Sequence, residues 1–147
     1  MGPSDWSDAA VKLRHRPATL LTLVIVGVAA CLDSSESPAG TLRVVLSKPA
    51  GADGAILFTL AGPRAPATAR PGAGLVFWGA PFGAANPVKV LLTGALANGQ
   101  TILTFNVNDV HRVDEYTATI LQVAADGGTY AQRNAGAGSG YALTVTR

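Results

Sequence analysis

Few residues in this sequence combine the types and the spacing that catalysis requires. His111 is the only histidine after residue 30, and Asp109 and Asp114 lie close to it in the chain. A histidine oriented by an acid can activate a serine nucleophile. No serine after residue 30 lies in the Gly-x-Ser-x-Gly turn that exposes such a nucleophile. The sequence therefore predicts a protein that is not an enzyme, with His111 as an exposed loop residue and a hydrolase only as a remote alternative.

Metal and phosphate sites are equally poorly supported. Asp109 and Asp114 could contribute to a calcium site, which needs six to eight oxygen ligands. Two acids five residues apart in a turn are more often simply solvated. Cys31 is the only cysteine, which excludes a zinc site built from cysteines as well as an internal disulfide. The glycine-rich stretch 136–140 lacks the lysine of a phosphate-binding loop, so we predict neither a metal nor a cofactor.

The candidates for binding a ligand are three aromatic residues, Phe77, Trp78 and Phe82. Flat aromatic faces can stack on sugar rings. Successive side chains of a strand point to opposite sides, so one of Phe77 and Trp78 faces the core and the other faces outward. Two interpretations of Trp78 stay open. In the favoured one, Trp78 fills the core or closes one end of the fold. In the other, Trp78 is exposed and binds a ligand.

Charge excludes one class of partner. Residues 31–147 contain eight Lys or Arg and seven Asp or Glu, so this part of the chain is nearly neutral. A nucleic-acid-binding surface needs a basic patch or stripe, and the sequence has none. We therefore expect no nucleic-acid partner.

The N-terminal segment has the pattern of an export signal. Lys12, Arg14 and Arg16 precede an uncharged run of 13 residues, from position 18 to position 30. A membrane-spanning helix needs about 20 apolar residues. A shorter apolar run after a basic flank is typical of a cleavable secretory signal. Residues 1–30 are therefore predicted to be a helical signal peptide. An uncleaved anchor helix is the alternative.

The end of this run, Val28-Ala29-Ala30-Cys31, resembles the lipobox of bacterial lipoproteins. The resemblance implies a diacylglycerol on the sulfur of Cys31 and cleavage between Ala30 and Cys31. Residues 31–40 are small, polar and turn-prone, and we expect them to form a flexible tether. The protein is then lipid-anchored in a bacterial cell envelope, facing the periplasm or the surface. Leu32 favours the outer membrane if the organism has two.

Residues 41–147 alternate apolar and polar residues at a period of two, which is typical of strands. We expect one domain containing seven short strands, in the ranges 41–47, 55–61, 74–79, 88–92, 103–107, 116–120 and 141–146. Asn98-Gly99 predicts a tight hairpin turn. Asp53-Gly54 and Asp126-Gly127-Gly128 are similar turn signals. The proline-rich stretch 62–72 and the Gly/Ala/Ser-rich stretch 134–140 are expected to be surface loops.

This pattern predicts an all-β protein, a single antiparallel β-sandwich. The segment Asp114-Glu115-Tyr116-Thr117-Ala118 resembles the tyrosine corner of immunoglobulin-like sandwiches. This implies a structural role for Tyr116, whose hydroxyl bonds back to backbone. The order of hydrophobic and glycine-containing strands also resembles the cohesin-like and carbohydrate-binding-module sandwiches. The chain departs from them in lacking the acidic residues by which several of those modules hold calcium.

The predicted function follows from the anchor and from the aromatic residues. We expect a non-catalytic binding or interaction module held at a membrane by its lipid, with a protein or polysaccharide partner. The alternative is a structural accessory lipoprotein of an envelope assembly with no ligand of its own. The sequence leaves the partner's identity and the oligomeric state open.

Overall fold

The computed structural model describes residues 38–79, 82–83 and 85–147. All of them belong to one structural unit, Ser34–Arg147. The predicted signal helix, the cleavage between Ala30 and Cys31, the lipidation of Cys31 and all but the last three residues of the tether lie outside the described residues.

Among the described residues, nine strands form two antiparallel sheets, which we name sheet A and sheet B. Sheet A has the strand order β3-β6-β1-β9, and sheet B has the order β4-β5-β2-β7-β8. The strands are β1 (Gly40–Ser47), β2 (Asp53–Ala61), β3 (Ala69–Pro71), β4 (Val76–Trp78), β5 (Val88–Leu96), β6 (Thr101–Val107), β7 (Thr117–Ala125), β8 (Gln132–Arg133) and β9 (Ala142–Thr146). The predicted all-β antiparallel sandwich is confirmed.

The alternation seen in the sequence forms the core between the sheets. Leu42, Val44 and Leu46 of β1 are fully buried, and the residues between them are more exposed. Ile56, Phe58 and Leu60 of β2 repeat this pattern in the opposite sheet. Burying a side chain of this size contributes about 1.5–3 kcal/mol. The two faces therefore supply the main driving force for packing sheet A on sheet B.

Two short strands were not predicted. β3 lies inside the stretch 62–72, where we expected only a loop, and pairs with β6 through Ala69 opposite Phe105. Its sequence, Ala-Arg-Pro, has no apolar alternation, and Pro71 is tolerated because β3 is an edge strand. The two-residue strand β8 pairs with the end of β7. It is too short to produce a periodic pattern.

The predicted hairpin at Asn98-Gly99 is wrong. These residues connect β5 of sheet B to β6 of sheet A, so the two strands do not pair with each other. The turn itself forms, with Gly99 at φ +75°. The backbone N–H of Gly99 donates to the carbonyl of Leu46 at 2.8 Å, and Asn98 Oδ1 accepts from the backbone N–H of Lys48 at 2.9 Å. A local turn pattern does not reveal which sheet the chain enters next.

Asp53-Gly54 is also not a turn, because both residues belong to β2. The pairing register with β5 and with β7 shifts between Asp53 and Ala55, which places an irregularity at Gly54. A side chain at Gly54 would meet the backbone of Asp126 at 3.0 Å. Glycine is therefore required at position 54, because the residue that follows β7 approaches it closely. The neighbouring Asp53 is buried.

Candidate functional site

Trp78 is an exposed residue of the edge strand β4, with 57% of its surface accessible. The favoured interpretation, in which Trp78 fills the core or closes an end, is therefore wrong. Phe77 points to the opposite side of the strand and packs against the core. Its ring stacks on that of Phe82, with the centroids 5.0 Å apart. Of the three predicted ligand-binding residues, only Trp78 presents its ring to solvent, while Phe77 and Phe82 support the strand from within.

The indole of Trp78 is restrained by its neighbours. Its Nε1–H donates to Oγ1 of Thr93 on β5 at 2.9 Å. The backbone of Trp78 lies opposite Leu91, and that of Val76 lies opposite Thr93. This hydrogen bond satisfies the one polar group of the indole and restricts its rotation. An exposed ring that is already oriented loses less conformational freedom when a ligand stacks on it.

Trp78 begins a row of side chains that crosses the outer side of sheet B. Trp78 pairs with Leu91, Leu91 with Leu57, and Leu57 with Gln122. Because the register shifts here, Leu121 also lies in this row and is exposed. Three strand spacings of about 4.8 Å give the row a length of about 15 Å. We call this surface the Trp78 face, formed by Leu57, Val76, Trp78, Leu91, Thr93, Leu121 and Gln122.

His111 lies in a short 3₁₀ helix, Val110–Glu115, where the sequence predicted a loop. It is exposed, as expected, and its backbone N–H donates to Oδ1 of Asp109 at 2.8 Å. Arg112 and Glu115 form a bidentate ion pair, which raises the pKa of Arg112 and lowers that of Glu115. No group of three or more His, Cys, Asp or Glu residues that could hold a metal occurs among the described residues.

Tyr116 follows this helix directly and precedes β7. Its ring packs on Phe105 with the centroids 5.3 Å apart, and it lies so close to Gly62 that a Cβ there would approach the ring to 2.3 Å. Burial raises the pKa of its hydroxyl. Tyr116 thus packs against β6 of sheet A and against Gly62, the residue that follows β2 of sheet B. The contacts among the described residues include no bond from its hydroxyl to backbone, so the tyrosine corner stays a prediction.

The same end of the sandwich contains a cavity of about 620 Å³ that the sequence did not indicate. Tyr116 and Arg112 line one side, and the 62–68 loop and the end of β6 line the rest. The residues are distant in the chain and no motif joins them. The proline-rich composition of the loop was the only available signal, since prolines often give a loop a fixed shape.

A buried charged cluster at the opposite end was also missed. Lys48 Nζ lies 3.0 Å from Asp53 Oδ2, and their side chains are 4% and 1% exposed. The hydroxyl of Tyr141 donates to the same oxygen at 2.9 Å, while Nε of Arg133 lies 3.4 Å from Oδ1. The ammonium also donates to the carbonyls of Pro49 and Gly51. With its three protons directed to three acceptors, Lys48 fastens the β1–β2 connection rather than presenting a nucleophile.

Comparisons with known proteins add nothing to these observations. No protein-family model, no curated protein and no solved structure matches this chain. Within the described part of the chain, there is no helix long and apolar enough to cross a membrane.

Proposed function

We propose that this protein is a membrane-anchored envelope lipoprotein whose β-sandwich binds a polysaccharide through the Trp78 face. The observation that carries the proposal is the exposure of Trp78 on the outer side of sheet B, with its indole N–H held by Thr93. The proposed role is non-catalytic: His111 is exposed, and no serine after residue 30 lies in a Gly-x-Ser-x-Gly turn of the sequence.

The Trp78 face has the composition of a binding surface. Val76, Trp78 and Leu121 are the large exposed apolar residues of sheet B's outer side. A soluble domain normally scatters such residues, and their grouping on one surface marks an interaction site. Tryptophan is also one of the residue types enriched at the energetic centre of interfaces. The face therefore offers one dominant anchor surrounded by smaller contacts.

A polysaccharide fits this face better than an apolar protein surface does. A pyranose ring presents C–H groups on its faces and hydroxyls around its rim. The indole supplies the flat apolar surface, and polar groups border it: Thr93 lies two residues along β5 from Leu91, and Gln122 lies opposite Leu57 on β7. A protein partner would be expected to cover a wider apolar area than these few residues provide.

Retention on immobilised polysaccharide from the envelope tests this proposal. We expect the full-length protein to be retained and Trp78→Ala to lose retention by about 30-fold, the effect of removing an interface anchor. Tyr130→Asn is the matched control, because Tyr130 is 56% exposed but lies beyond the end of β7, outside the Trp78 face. Equal retention of the two variants would contradict the proposal. Retention that depends on a protein component of the envelope preparation, and not on its polysaccharide, would replace the polysaccharide by a protein partner.

The anchoring part of the proposal rests on the resemblance of residues 28–31 to a lipobox. Labelling cells with a radioactive fatty acid should mark the wild-type protein and leave Cys31→Ser unmarked. Two or more acyl chains give stable anchoring, so the wild type should sediment with membranes while Cys31→Ser does not. Absence of label on the wild type, or equal label on both proteins, would contradict lipidation.

A further inference from the structure

The cavity of about 620 Å³ lies at the end of the sandwich where β1 begins and β6 ends. The 62–68 loop forms one wall, and the segment 106–109 with the 3₁₀ helix forms the other. Its volume falls within the range of about 300–1,000 Å³ that is typical of small-molecule sites. It shares no residue with the Trp78 face.

The loop wall is fixed in place rather than loosely connected. Pro63 and Pro66 restrict the backbone torsions within it. At its start, Nδ2 of Asn86 donates to the carbonyl of Gly62 at 2.7 Å. At its end, the backbone N–H of Asn106 donates to the carbonyl of Thr68 at 3.2 Å. A wall that is ordered before binding lowers the entropic cost of holding a ligand.

The lining of the cavity is polar and contains both donors and acceptors. Its polar members are Arg64, Asn106, Asn108, Asp109, Arg112 and Tyr116. Arg112 is paired with Glu115. Oδ1 of Asn106 accepts a hydrogen bond from the hydroxyl of Thr41, so the amide nitrogen of Asn106 is not used in that bond. Arg64 is exposed, and it forms no salt bridge with the residues that the structure describes. Arg64 is therefore the cation of the lining best able to pair with a ligand.

We propose that this cavity binds one sugar unit that bears a carboxylate, a residue of the uronic-acid class. The guanidinium of Arg64 pairs with the carboxylate in the bidentate manner that its planar fork allows. The amides of Asn106 and Asn108 suit hydroxyl groups, which both donate and accept. Asp109 in the lining disfavours a doubly charged phosphate more strongly than a singly charged carboxylate. The site is independent of the Trp78 face.

Calorimetric titration of the full-length protein in detergent with two matched sugars tests the proposal. Methyl glucuronide should bind with a Kd on the order of 1 mM, as expected for a single sugar unit. Methyl glucoside, which carries a hydroxymethyl group in place of the carboxylate, should bind at least about tenfold more weakly. Arg64→Ala should remove this preference. Arg70→Ala is the matched control, because Arg70 is an exposed arginine on β3 outside the cavity lining.

The other outcomes are equally informative. Equal binding of the two sugars, or a preference that survives Arg64→Ala, would overturn the proposal. Inorganic phosphate that binds more tightly than methyl glucuronide would overturn it in favour of a phosphate-bearing ligand. Trp78→Ala should leave the titration unchanged, so a failure at this cavity and a failure at the Trp78 face are distinguishable.

Discussion

Replacing Asp53 by asparagine removes the negative charge at the centre of the buried cluster. Asp53 is 1% exposed and receives Lys48 Nζ at 3.0 Å and the hydroxyl of Tyr141 at 2.9 Å. Asparagine has the same shape, so the packing changes little. The ammonium of Lys48 is left buried, with two carbonyls and an amide oxygen in place of a carboxylate.

The expected cost is large because the remaining charge cannot reach water. Removing one partner of a buried ion pair costs about 3–5 kcal/mol. A domain of this size is stable by about 5–15 kcal/mol, so the loss is at least about a fifth of its stability and could unfold a marginally stable domain. Replacing Lys48 as well should recover part of the loss. The double variant Lys48→Met/Asp53→Asn should therefore be more stable than Asp53→Asn alone.

Urea denaturation followed by circular dichroism measures these differences. Asp126→Asn is the control, since Asp126 is exposed and its Oδ1 accepts from the N–H of Gly127, a bond that asparagine can also accept. It should change the free energy of unfolding by less than about 0.5 kcal/mol. A loss below about 1 kcal/mol for Asp53→Asn would refute the reasoning that the cluster holds a desolvated charge pair.

Two further predictions concern the tyrosines. Burial and the bond to Asp53 raise the pKa of Tyr141. As pH rises, the Tyr141 hydroxyl therefore ionises near pH 10 in the unfolded chain and only at higher pH in the folded protein. The stabilisation from Tyr141 is present below pH 10 and is lost as pH rises from there toward the folded pKa. Tyr141→Phe should flatten this fall in alkaline urea titrations, and an unchanged slope would contradict the assignment. Gly62→Ala should cost about 1–3 kcal/mol in thermal unfolding, because its Cβ would meet the Tyr116 ring at 2.3 Å. Gly136→Ala, in an exposed loop, is its control, and equal costs would argue against the contact.

The sandwich could be predicted from the sequence because its strands alternate strictly where one side faces the core. Leu42, Val44 and Leu46 show this in β1, and their burial follows directly. β3 was missed because an edge strand with no core-facing pattern looks like a loop. The connection at Asn98-Gly99 was misassigned because turn propensity is local, whereas the choice between pairing and crossing to the other sheet depends on tertiary packing.

The candidate site was predictable only in part. Alternation required Phe77 and Trp78 to face opposite sides but did not say which one faced solvent. The register of β4 on β5 decides this, because it places Phe77 opposite the fully buried Leu92 and so leaves Trp78 on the outer side. Asp53 was interpreted as a turn residue because Asp-Gly is common in turns. Its burial depends on Lys48 and Tyr141, and the latter lies 88 residues away in sequence.

The emission of Trp78 during titration with envelope polysaccharide tests the central claim most directly. The chain contains two tryptophans, Trp6 and Trp78, so Trp6→Phe leaves Trp78 as the sole reporter whether or not the signal segment is removed. We predict the emission of an exposed indole in the free protein, then a shift to shorter wavelength and protection from acrylamide quenching as polysaccharide is added. Emission and quenching that stay constant across all polysaccharide fractions, in a protein that remains folded, would contradict binding at the Trp78 face.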